Sequence, residues 1–161
     1  MSFLGTVTKL TPLQHSTKRR PSSPEESAFL DLLRTCDLLS RGPAQRLKIE
    51  DLSATQYNVL RILLGTPEGL RGGEIASSMI TRDPDITRLL DRLEKRGLIS
   101  RSRDKKDRRT VIARITPGGR TLLARLDEPV QEIHRKQLGH LGRNGLGALA
   151  ELLRAARASV G

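Results

Sequence analysis

Apolar side chains recur at positions 29, 32, 33, 36 and 39, the three-and-four spacing of one helix face. Three start signals precede them: Ser23 can cap, Pro24 suits a first turn, and Glu26 closes a capping box. Gly42-Pro43 predicts a kink or stop, because Pro43 has no N–H to donate and its ring crowds the carbonyl of Leu39. A second box, Ser53-Ala54-Thr55-Gln56, opens a helix that turns Tyr57, Leu60, Leu63 and Leu64 inward and stops before Gly65-Thr66-Pro67. A short third helix over about 73–78 presents Ile75, Ala76 and Met79.

The next stretch is more informative. Asp83-Pro84 pairs a cap with a first-turn proline; Ile86, Leu89, Leu90 and Leu93 follow at helical spacing, and Gly97 ends the helix. Its opposite face holds Thr87, Arg88, Asp91, Arg92 and Lys95. The period then changes to two, predicting strands over 98–103 and 110–115 joined by a polar turn at 104–109. Thr116-Pro117 starts another helix carrying Leu122, Leu123, Leu126, Val130, Ile133 and Leu138, with a bend expected at Pro129. In a last helix over about 144–157, Leu146, Leu149, Leu153 and Ala156 share a side that Ala150 and Leu152 widen beyond the needs of a lone surface helix.

A short helix, a turn, a longer helix and a hairpin make a winged helix-turn-helix, so the expected fold class is mainly α with a small β-hairpin. The second helix of the pair fits a DNA major groove and the hairpin reaches the neighbouring minor groove. Charge changes the picture in the same direction. The 161 residues carry a formal net charge of +11, which a polyanion or an anionic surface would offset. Residues 101–109 hold six Arg or Lys against two Asp on a hairpin tip that cannot bury them. No apolar run approaches the roughly 18 residues of a membrane span, and Met1 to Leu10 makes a poor signal peptide, so a cytoplasmic protein is expected. The single Cys36 excludes an internal disulfide, and His15, His134 and His140 form no metal cluster. No cofactor is expected, and with no nucleophile–base pair or phosphate loop, neither is an enzyme. Residues 1–22, rich in Thr, Ser, Lys and Arg, read as a basic flexible tail before one domain over 23–157. Cys36, in phase with Phe29, Leu32 and Leu33, reads as a small buried apolar residue.

The run 86–99, with Asp107-Arg108-Arg109 and Ile115-Thr116-Pro117-Gly118-Gly119, resembles the multiple antibiotic resistance regulator (MarR) family. Leu52-Ser53-Ala54-Thr55-Gln56-Tyr57 matches the start of that family's second helix, and the resemblance covers roughly residues 25–157. It implies an intertwined homodimer with a DNA-binding lobe at about 53–116 and dimerisation helices at about 24–48 and 117–157. It implies a double-stranded, inverted-repeat operator, usually repressed, and release by a small aromatic, phenolic or lipophilic effector. A constitutive or architectural DNA-binding protein without such a ligand is the alternative.

The DNA-contacting set it implies is Thr81, Arg82, Asp83, Thr87, Arg88, Arg92, Lys105, Lys106, Asp107, Arg108 and Arg109. Thr87 and Arg88 would face base edges and backbone in the major groove, Arg109 would enter the minor groove, and Lys105 and Lys106 would hold phosphate. Several roles stay open at this level. Arg88 either reads DNA or pairs with Asp85, Asp91 or a partner chain; Arg92 either faces phosphate or is ion-paired. Asp107 either holds the Arg109 guanidinium or caps the turn. Gly42-Pro43 interrupts a helix that the wider family often keeps continuous.

Overall fold

The computed structural model describes residues 23–81, 83–104 and 107–159. By contact density the chain divides into two units, Met1–Thr35 and Cys36–Gly161. The described part of the first is the opening of helix α1 (Pro24–Ile49), where the Ser23 hydroxyl accepts from the Glu26 amide at 3.1 Å. Phe29, Leu32 and Leu33 are exposed there.

The second unit contains the rest: α2 (Ala54–Leu64), β1 (Leu70–Arg71), α3 (Gly72–Ser78), α4 (Ile86–Lys95), β2 (Ile99–Arg103), β3 (Val111–Ile115), α5 (Pro117–Leu138), a 3-10 turn (Gly139–Leu141) and α6 (Gly142–Ala158). The strands form an antiparallel sheet in the order β1-β3-β2, with Leu70 opposite Ala113, Ile99 opposite Ile115 and Arg103 opposite Val111. The core is made by Leu60 and Leu63 of α2, Ile75 of α3, Leu89, Leu90 and Leu93 of α4, Ile99 and Ile115 of the sheet, and Leu122, Leu123 and Leu126 of α5. The winged helix-turn-helix is therefore present. The two-residue β1, too short to show a period, adds a third strand to the expected hairpin.

Most expected caps are in place. In α2 the Ser53 hydroxyl accepts from the Gln56 amide at 3.1 Å, while the Gln56 side chain accepts from the Ser53 amide at 3.0 Å. The Thr116 hydroxyl accepts from the Gly119 amide at 3.1 Å and donates to the Gly97 carbonyl at 2.6 Å, joining the start of α5 to the end of α4. Only glycine fits at 119, because a Cβ would lie 2.3 Å from the Leu98 carbonyl oxygen.

Three expectations need correction. Helix α1 does not end at Gly42-Pro43 but continues through Pro43. The Leu39 carbonyl that Pro43 leaves without its helical donor accepts instead from the Gln137 side chain of α5 at 3.0 Å. Gly42 makes room for this, since a Cβ there would meet Ile133 at 3.0 Å and Gln137 at 3.2 Å. Helix α4 is capped by Asp85, not Asp83: Asp85 accepts from the Arg88 amide at 3.0 Å, and Asp83 accepts from the Asp85 amide at 2.9 Å in the turn before it. Cys36 is exposed rather than buried.

Candidate nucleic-acid interface

Helix α4 is sharply two-sided. Leu89, Leu90 and Leu93 are buried, whereas Thr87, Arg88, Arg92 and Lys95 are exposed. Its ends are fixed independently. Asp85 caps the start, and Gly97, at φ 68°, closes the end with the Gly97 amide on the Glu94 carbonyl at 2.8 Å and the Leu98 amide on that of Leu93 at 3.0 Å. Arg96 donates to the Glu50 carbonyl at 2.8 Å and also to that of Asp51, tying this end to the corner between α1 and α2.

Neither alternative pairing of Arg88 within the chain occurs. Asp85 is engaged by the Arg88 backbone amide, and Asp91 by Arg101. Among the described residues the guanidinium groups of Arg88 and Arg92 form no ion pair. Arg92 lies between two open depressions. One, of about 600 Å³, is lined by Lys48, Asp51, Leu52, Ser53, Gln56, Lys95 and Arg96 with Arg92. The other, of about 340 Å³, is lined by Ser53, Thr55, Asp83, Asp85, Arg88, Leu89 and Arg92. Thr81 is exposed and Asp83 half-buried on the approach to the helix; Arg82 lies outside the described residues.

In the wing, Arg108 and Arg109 are exposed, and Lys105 and Lys106 lie outside the described residues. Asp107 caps the turn. Its carboxylate accepts from the Arg109 amide at 3.0 Å and from the Thr110 hydroxyl at 2.8 Å, and its carbonyl accepts from the Thr110 amide at 3.0 Å. The Arg109 amide first, then the Thr110 hydroxyl, hold this carboxyl below the usual aspartate range. Asp107 thus shapes the backbone that carries Arg109, the second of its two readings, and among the described residues no ion pair joins its carboxylate to the Arg109 guanidinium.

Sequence reasoning missed Arg101, treating it as one more wing cation. Its backbone amide donates to Glu94 Oε1 at 2.9 Å, its Nε to Glu94 Oε2 at 2.8 Å, and its Nη2 to Glu94 Oε2 at 2.7 Å and Asp91 Oδ1 at 2.5 Å. The first strand of the wing is thereby bolted to the recognition helix. The Arg101 hydrogen bond pulls the Glu94 carboxyl below the usual glutamate range. Two acids three positions apart on one flank of α4 were the available signal.

The MarR family model matches residues 52–111, from the approach to α2 to the first residue of β3. A MarR transcription factor from Planctomyces limnophilus is 39% identical, with 84% of this chain and 99% of that one covered and a TM-score of 0.65. This chain belongs to the MarR family. Among MarR-family structures it is also similar to the transcriptional repressor CouR, bound in its crystal to a 23-mer DNA duplex. The identity is 29%, with 84% of this chain and 92% of CouR covered, at a TM-score of 0.69. The HTH-type transcriptional regulator YfiV of Bacillus subtilis is 31% identical over 107 residues, 66% of each protein, so the match spans just under two thirds of that relative. These MarR-type relatives are regulators of transcription, not enzymes. No helix among the described residues is long and apolar enough to cross a membrane.

Proposed function

We propose that this MarR-family transcriptional regulator is a homodimeric repressor that reads an inverted-repeat operator with α4 and the β2–β3 wing and is released by a small aromatic, phenolic or lipophilic ligand. The observation that carries the DNA reading is the outer face of α4, where Thr87, Arg88 and Arg92 stand exposed, the two arginines without an ion pair among the described residues, beside a wing whose tip carries Arg108 and Arg109. A bidentate guanidinium recognises guanine in the major groove, and an arginine suits a narrow minor groove. The DNA-bound CouR supports the same use of this fold. In this reading residues 53–116 form the DNA-binding lobe, and helices at about 24–48 and 117–157 form the dimer. The dimer is supported by α6, in which no residue is buried although Leu146 and Leu152 lie along it. The ligand rests on family membership.

Selection of bound duplexes from a random library tests the reading. Enrichment of an imperfect inverted repeat with half-sites about 10 bp apart is expected; enrichment of no sequence overturns it. Titration of the selected duplex with a panel of phenolic and lipophilic acids then addresses release. If none of them lowers affinity, the protein is a constitutive binder.

A further inference from the structure

We propose that Arg101 is a positioning residue for DNA binding, a strut that sets the angle between wing and recognition helix so that Arg109 and α4 engage the duplex together; this rests on the DNA reading above.

The topology explains why a strut is needed. The wing strand β2 lies at the edge of the sheet and pairs only with β3. The strand on the far side of β3 is the two-residue β1, which pairs no further out than Ala113 and Ile112. Among the described residues, the hairpin beyond Ile112 has no sheet neighbour except itself. Arg101, opposite Ala113, stands one level inside Ile112, the last level at which β1 backs the hairpin. A swing of about 10° there would move a side chain some 10 Å further out, about three residues along a strand, by roughly 2 Å, more than a built contact tolerates.

The strut's chemistry differs from that of the surface pairs made within single helices. Arg34–Asp31, Arg41–Asp37 and Lys136–Glu132 each sit within one helix, largely exposed, where such pairs contribute little. The Arg101 side chain is only 25% exposed and bridges two elements. One carboxylate, Glu94, receives both its main-chain and its side-chain donors, so strand position and side-chain position are locked by the same group. Two acids also cancel the charge of this arginine, which removes it from the phosphate-binding count of the wing. Loss of Arg101 would leave Asp91 and Glu94 uncompensated on the flank of α4.

The test uses the full chain carrying Arg101→Gln, Arg101→Lys, Arg109→Ala, and Arg101→Gln with Arg109→Ala. Without DNA, backbone amide relaxation of Ser102, Arg109 and Thr110 should report a looser hairpin in Arg101→Gln, with α4 unchanged and partial recovery in Arg101→Lys. On the selected operator, Arg101→Gln should cost about tenfold in affinity when Arg109 is present but less than about twofold when it is alanine, a non-additivity that general destabilisation would not produce. An unchanged hairpin, or an equal cost in both backgrounds, overturns the strut. Failure of the DNA reading looks different: Arg109→Ala alone would then leave operator affinity untouched, while the relaxation measurement would still decide whether Arg101 restrains the wing.

Discussion

Helices α4 and α6 are both rich in leucine, and their leucines meet opposite fates. In α4, Leu89, Leu90 and Leu93 are buried against α2, α3, the sheet and α5 within one core. In α6 no residue is buried, and Leu152 remains 70% exposed. The same composition thus closes a core in the winged lobe and leaves a face open in the last helix. The difference separates a lobe that completes its own core from a helix that does not, and the exposed leucines of α6 are what support the dimer proposed above.

The sharpest way to break that contrast is to mutate each side. Leu60→Ala, at a fully buried position of the lobe, should cost about 2–5 kcal/mol in urea denaturation. The loss should persist at every protein concentration. Leu152→Asp should by contrast cost within about 0.5 kcal/mol in an isolated chain, yet yield monomers in sedimentation at micromolar concentration. A variant that sediments as the wild type does would take α6 out of the dimer. Gln137→Leu should cost about 1–3 kcal/mol, because the Leu39 carbonyl would lose its replacement donor; unchanged stability would mean that water serves as well.

The two faces of α4 sharpen the comparison further. Arg88→Ala should leave thermal stability unaltered but weaken binding to the selected operator by about 1–3 kcal/mol, and much less to random duplex. Equal losses on both duplexes would assign it to backbone contact alone. The smallest expected effect is on pH. Glu94 is held low chiefly by the Arg101 hydrogen bond, and Asp107 by the Arg109 amide. A depressed carboxyl contributes stability that is present above its ordinary range and lost as pH falls through the lowered value. Amide protection of Ser102 and Thr110 should therefore hold from neutral pH into the mildly acidic range and decline only below it, whereas in Glu94→Gln protection of Ser102 should be lower throughout and lack the part of the decline that Glu94 carries.

Much of the winged lobe was legible because its signals are local. The Ser53–Gln56 box, the Thr116-Pro117 start and the Gly97 stop each act within a turn of the chain, and all are found as read. The Asp83-Pro84-Asp85 start was read two residues early. Both aspartates can cap, and the structure uses the second for the helix and the first for the turn. Asp107 was legible as a residue of interest, but its two readings differ only in which nearby donors its oxygens meet, and periodicity carries no information about that.

By itself, then, the sequence determined the two-sided helix α4, the switch to a basic hairpin and the order of the helices around it, because caps and periodicity act over a few residues. The tertiary structure alone decided that α1 passes through Pro43, since its rescuing donor is Gln137 on a distant helix. It decided that β1 exists, since a two-residue strand is defined only by the partner it pairs with. It also turned Arg101 from one of six wing cations into a bridge, since a guanidinium takes whichever carboxylates the packed fold brings within reach, and here those are Asp91 and Glu94.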